Sequence, residues 1–106
     1  MAAIGDERSV LVARDATATI VGVAVVFWVA TPRVLYAVLE DVAVAPAMRS
    51  HGLGAHIADV VVAEAQSRGA AWLFLESGRD NRRAHDFFTR RGFTEISRVF
   101  ARRLNS

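Results

Sequence analysis

Ile20 to Ala30 is an unbroken apolar run of eleven residues, rich in valine and carrying Phe27 and Trp28. Branched and aromatic side chains suit a pleated surface, and the run falls well short of the roughly twenty residues a membrane-spanning helix needs. It reads as a long buried strand. Ser9 to Arg14 reads as a shorter strand before it, and the polar Asp15–Thr19 between them as the turn of a hairpin. Thr31-Pro32-Arg33 ends the run, because proline lacks a donor and biases its predecessor towards extended backbone. Val34 to Val44 is a third strand, closed by Ala45-Pro46. Three successive strands with no helix between them predict an antiparallel meander.

The period then changes. Leu53, Ile57, Val60, Val61 and Ala65 recur at helical spacing, with Asp59, Glu64 and Arg68 on the other side and Gly69 as a stop. Ala71 to Glu76 is too short for a helix and reads as a fourth, buried strand. Asp80 or Asn81 caps a second helix with Ala84, Phe87 and Phe88 as its inward stripe and Gly92 as its end. Phe93 to Leu104 alternates as a final strand. The predicted class is α/β (α+β), in the order β-β-β-α-β-α-β, with one parallel pair inside a mostly antiparallel sheet. Trp28, Trp72, Phe74 and Phe87 are expected in the core.

At 106 residues the chain is expected to form a single domain, residues 1–106, with a thin core. A hydrophobic fraction of 53% against 23% charged residues excludes a disordered tail. With no cysteine, a disulfide framework, a thiolate metal site and a cysteinyl intermediate are all excluded. His56 and His85 lack metal-ligand spacing, so no metal is expected. No signal peptide or membrane span is legible, and a cytoplasmic location is the expectation. All thirteen basic residues are arginine. Residues 1–78 carry a net charge of −3 and residues 79–106 a net of +5, a basic quarter suited to phosphorylated ligands. Nucleic acid is the lesser expectation, because aromatics are not interleaved with those arginines. The arginines of the second helix (Arg79, Arg82, Arg83, Arg90, Arg91) read as a solvated face, of which one or two would meet a ligand phosphate.

The chemistry is concentrated where the third strand meets the first helix. The strand ends, a short loop follows, and Gly52 and Gly54 open the helix beside Arg49, Ser50 and His51. Glycines let backbone approach a ligand closely, and a helix start offers unpaired N–H donors and the positive end of the dipole. A pyrophosphate fits such a loop; the plainer reading is a loop that needs tight turns. The third glycine of a dinucleotide fingerprint and the Gly-Lys-Ser/Thr of a P-loop are both absent. His51 either donates to phosphate or points to water.

Leu39-Glu40-Asp41-Val42-Ala43-Val44-Ala45-Pro46, the Arg49-x-x-Gly52-x-Gly54 helix start and Asn81-x-x-Ala84-x-x-Phe87-Phe88 with Gly92-Phe93 together resemble the GNAT superfamily of N-acetyltransferases. The resemblance covers residues 39–93 and implies acetyl-CoA as acyl donor. It implies that backbone of Val42, Ala43 and Val44 holds the pantetheine arm as an extra strand. Amides of Arg49, Ser50, His51, Gly52, Leu53, Gly54 and Ala55 would bind the pyrophosphate, and Asn81 would reach the sulfur end of the arm. The acetyl group would pass directly to a primary amine of a small molecule or protein.

Glu40 is the candidate base for the ammonium acceptor, by strand position and by resemblance; its alternative is a solvated or paired strand carboxylate. Asp41 is expected on the opposite face. Two departures from the family pattern follow. Phe88 stands where many members carry a tyrosine that protonates the departing thiolate, so it packs on the pantetheine without donating. Tyr36 lies about 13 Å from Glu40 at ~3.3 Å per residue, too far to replace it. Family members also commonly begin with a strand and two helices over the acceptor site, whereas only Met1–Arg8 precede the hairpin here. A bare sheet edge is then expected to pair in a homodimer. The rival to an enzyme is a non-catalytic acyl-CoA-binding or interaction module.

Overall fold

The computed structural model describes residues 6–77, 81–96 and 100–104. Within them the chain divides into two compact units, Met1–Glu76 and Ser77–Ser106. The first holds a four-stranded sheet made of β1 (Asp6–Arg14), β2 (Ile20–Ala30), β3 (Leu35–Val44) and β4 (Trp72–Leu75), in that spatial order. β1–β2 and β2–β3 are antiparallel, and β3–β4 is the expected parallel pair. A 3₁₀ turn over Pro46–Met48 leads into α1 (Leu53–Ser67).

Alternation on β2 decides which face the helix covers. Gly22, Ala24, Val26 and Trp28 are buried, and the odd positions between them are only partly so. Ile57, Ala58, Val61 and Ala65 of α1 are buried, and Ile57, Val61 and Ala65 join Ala24, Val26, Ala37 and Leu39 in one cluster. Val60, expected in that stripe, is 42% exposed. The helical angle turns it towards β1, and Ala58 takes its place in the interior. Gly22 matters for a steric reason: a Cβ there would stand 2.7 Å from Ile57 Cδ1 and 3.4 Å from Leu53 Cδ2. Its absence lets the start of the helix sit low on the sheet.

The other end of α1 is tied by Arg68. Its guanidinium bonds Glu64 at 2.9 Å, reaches Glu7 at 3.4 Å, and lies over the Trp28 ring at 4.3 Å. Trp28 Nε1 donates to Ser9 Oγ at 2.8 Å, so the one indole buried in this core has its polar atom satisfied. Gly69, with φ of 77°, ends the helix as the sequence predicts.

Trp72, by contrast, is 56% exposed. It begins an edge strand on the face away from α1 and stacks on Phe74 at 5.7 Å, whose other neighbour is Tyr36. Phe74 is half-buried.

In the second unit, α2 (Arg82–Arg90) begins at Asn81, whose Oδ1 accepts from the Ala84 amide at 3.2 Å. Phe87 is half-buried, not fully so, and Arg91 lies over its ring at 5.8 Å. The other cap candidate, Asp80, lies outside the described residues, as does Arg79. The expected last strand is not present among the described residues: 93–96 and 100–104 are in no ladder, and 97–99 lie outside them. Alternation supplies the period of a strand but not its partner. Phe100 and Leu104 are more than nine-tenths exposed, so nothing is buried that would drive pairing.

Val61 is wholly buried, so Val61→Ala should cost about 2–3 kcal/mol in urea unfolding. The hairpin turn gives a pH signature. The Asp15 carboxylate accepts from Thr17 Oγ1, the Thr17 amide and the Thr19 amide, and these bonds hold it below the usual carboxylate range. The stability gained is complete above the unfolded pKa of about 3.9 and is lost as pH falls through the lower folded value. Asp15→Asn should flatten that part of the acid limb in a Tm–pH series by lowering Tm at neutral pH towards the value at the acid end.

Candidate active site

The register of β3 changes where the chemistry is expected. Val26 opposes Leu39, but Val25 opposes Asp41, and Glu40 is the extra residue between them. Such an insertion bends a strand and re-aims its side chains. Before it, Leu35, Ala37 and Leu39 face α1; after it, Val42 and Val44 do. Glu40 follows Leu39 and Asp41 is level with Val25, so both carboxylates lie on the face away from the helix. The expectation that Asp41 points opposite to Glu40 is therefore corrected: strict alternation does not survive the inserted residue.

The same insertion coincides with an opening of the sheet. The parallel ladder to β4 ends at Leu39–Leu75, while β3 runs on to Val44. Ala45 donates to the Val21 carbonyl at 2.8 Å, so by alternation Ala43 also turns its backbone groups to β2. Val42 and Val44 then present theirs to the unpaired side. Of Val42, Ala43 and Val44, expected to hold a ligand by their backbone, the first and last turn that backbone to the unpaired side, and Ala43 turns its own to β2.

Beyond the strand the chain folds into a loop of backbone donors. The 3₁₀ turn is closed by Met48 N–H to the Ala45 carbonyl at 2.8 Å. Ser50 and Gly52 both take positive φ, 71° and 77°, which glycine accepts without cost and serine does not. The first α1 bond is His56 N–H to the Gly52 carbonyl at 3.0 Å, and no side chain caps this end. The amides of Leu53, Gly54 and Ala55 are thus without partners among the described residues. A Cβ built on Gly54 meets no atom within 4 Å. The space beside Gly54 is open.

Two loop side chains are partly engaged. Arg49 Nε donates to the Val44 carbonyl at 3.4 Å, bridging strand end and loop. His51 Nδ1 lies 3.0 Å from the Arg49 carbonyl, which fixes the ring along the loop. Arg49 and His51 therefore brace the loop as well as border it.

Glu40 has a partner that sequence reading missed. Arg8 of β1 meets it with two nitrogens, each at 3.2 Å, and lies over the Phe27 ring at 5.1 Å. The carboxylate holds the guanidinium above its already high pKa. Glu40 remains 33% exposed, so the bidentate pair orients it without removing it from solvent. No signal marked either partner: residues 34–39 and 42–44 are continuous apolar runs, so no change of period shows where the extra residue falls.

Asn81 and Phe88 belong to the second unit. Asn81 uses Oδ1 as a helix cap, leaving its amide nitrogen for another acceptor. Phe88 packs edge-on against Phe87 and Phe93 at 5.2 and 5.6 Å.

A model of the Acetyltransferase (GNAT) family matches residues 2–93. Solved structures of the same fold include an acetyltransferase of Trypanosoma brucei, 24% identical, with TM-score 0.79 over 92% of this chain and 69% of that one. A candidate acetyl transferase of Pyrococcus furiosus is 21% identical, with TM-score 0.83 over 92% and 66%. The ribosomal-protein-alanine N-acetyltransferase of Brucella melitensis biovar Abortus 2308 is 17% identical, with TM-score 0.78 over 92% and 71%. The chain therefore spans about two thirds of the length of these structures. Among curated proteins, none matches it.

The loop generates a direct test. Gly54→Ala should leave Tm unchanged or raise it, since alanine is the better helix former. The same methyl group stands in the open space at Gly54. Stabilisation by pyrophosphate in a thermal-shift titration should fall at least tenfold in apparent affinity.

Proposed function

The chain belongs to the GNAT family of acetyltransferases, and from that premise we propose that it is an N-acetyltransferase moving acetyl from acetyl-CoA to a primary amine. The observation that carries the reading is the conjunction at the end of β3. An opened strand edge stands beside a helix start whose first three amides have no partner among the described residues, with open space at Gly54.

In this reading acetyl-CoA supplies the acyl group as a thioester. The outward N–H and C=O of Val42 and the N–H of Val44 bond its pantetheine arm like a neighbouring strand, and one of those amides polarises the thioester carbonyl. The backbone from Arg49 through Ser50, His51, Gly52, Leu53, Gly54 and Ala55 receives the pyrophosphate. For Asn81 and Phe88 of the second unit, the family resemblance alone supports a role towards the pantetheine or its sulfur. Glu40, aimed by Arg8, removes a proton from the ammonium acceptor, directly or through water. The amine then forms the C–N bond as the C–S bond breaks and the thiolate leaves, and the second nitrogen proton passes to water or to the thiolate. Phe88 has no proton to give that thiolate, which departs unaided or takes one from water.

The acceptor is a small molecule or a protein amine. A neighbour in fold is named for N-acetylation of alanine in a ribosomal protein, which keeps a protein amine within the range. We further propose that residues 1–106 act as one domain, in the cytoplasm, as a homodimer. A second reading, a non-catalytic acyl-CoA-binding module, draws on Phe88.

A CoA-release assay with acetyl-CoA and pooled amines should show turnover, and Glu40→Gln should lower it by about 100-fold or more with acetyl-CoA affinity unchanged. Binding without turnover for any amine would leave the module. Absence of binding at millimolar acetyl-CoA would overturn both.

A further inference from the structure

The ring of His51 is held in one tautomer by the loop it belongs to. Ser50, at φ of 71°, turns the chain back on itself. The His51 side chain thereby meets the carbonyl two residues before it, with Nδ1 3.0 Å from the Arg49 oxygen. A carbonyl can only accept, so Nδ1 carries the proton. In the neutral ring Nε2 is then a lone pair, and since two acceptors do not bond, it offers a phosphate nothing. The backbone is held as well, with the His51 amide donating to the Met48 carbonyl at 3.4 Å. The residue is exposed, and Nε2 has no partner among the described residues.

Taking up a proton reverses the role of that nitrogen. Nε2 becomes a donor carrying part of a full positive charge. Nδ1 keeps its bond to Arg49, so nothing in the loop has to rearrange. The surrounding chain offers the new cation little to neutralise it. From Val42 through Ala58 there is no acid, and the charged or titratable side chains are Arg49, His51 and His56. β2 has none from Ile20 to Ala30. At the same end of the sheet the β1–β2 turn carries Arg14 and Asp15. Arg14 bonds the Ala18 carbonyl, and Asp15 accepts from Thr17 and Thr19 within its own turn. Arg49 is partly engaged with the Val44 carbonyl, and His56 lines a cleft with Leu11, Val12 and Ile57. An anion at the neighbouring amides is the acceptor that these residues do not supply.

We propose that the His51 side chain is a ligand of the CoA diphosphate only when protonated. Neutral, it braces the loop. Protonated at Nε2, it also donates to a phosphate oxygen and tightens binding. The proton comes from water, and by linkage a bound diphosphate favours its uptake by the same factor. The proposal rests on the diphosphate reading above and adds to it a side chain and a sign. Affinity rises as pH falls through the range in which an imidazole titrates.

Calorimetry with dephospho-CoA tests this, because the diphosphate diester of that molecule keeps a constant charge between about pH 5.5 and 8, where imidazoles titrate. The parent should bind about fivefold more tightly at the acid end. Whatever His51→Ala loses by loosening the loop it should lose at both ends, and the rise should be gone. His51→Arg, a cation throughout, should bind equally at both ends, and His56→Ala should keep the parent's rise. Near neutral pH, titrations in buffers of different ionisation heat should show net proton uptake by the parent and none by His51→Ala. A parent whose affinity does not change with pH, or a rise that survives His51→Ala, would overturn the proposal while leaving diphosphate binding in place. Absence of heat at every pH would overturn the diphosphate reading itself, and the proposal with it.

Discussion

Close seating of α1 on the sheet is the constraint from which the rest of the first unit follows. The sheet offers Gly22, Ala24 and Ala37 beneath the helix, and the helix returns Ala58 and Ala65. Small residues on both surfaces bring backbones together, and Ile57 and Val61 fill what is left. In a domain this small the interior has little surplus. A helix held at one end by the missing Cβ of Gly22 and at the other by the Arg68–Trp28 stack has its first turn fixed against the end of β3. The free amides are therefore set by packing rather than by the loop alone.

The inserted residue in β3 is the second element of that arrangement. Up to Leu39 the strand is held on both sides; after it, on one. An extra residue in a ladder adds twist and bend, and here it turns a fully paired strand into one with an exposed run of donors and acceptors beside the loop. It also places Glu40 and Asp41 together on the face away from the helix. Opening of the strand and placement of its acids share one cause.

Much of this was legible in the chain. The boundaries of β2, α1 and α2 follow from an apolar run, a change of period and glycine stops at Gly69 and Gly92. Those signals are local and need no partner to be read. Glu40's position relative to Asp41 was misread because alternation was carried through a residue that breaks it, and the apolar runs on either side of the two acids do not mark the place. The Arg8–Glu40 pair was not legible, since it joins residues thirty-two apart that meet only after three strands are in register. Trp72 was assigned to the core by residue type, yet an aromatic ring on an edge strand settles on its neighbour, Phe74. The last strand was expected from period alone, which cannot supply the ladder a strand requires.

The bidentate grip on Glu40 has a consequence for whatever approaches it. The carboxylate already has a cation, so any second cation reaching it would have to displace the guanidinium or share the two oxygens with it. Loss of Arg8 would therefore leave an unpaired acid on the face away from the helix, more attractive to cations and less firmly aimed.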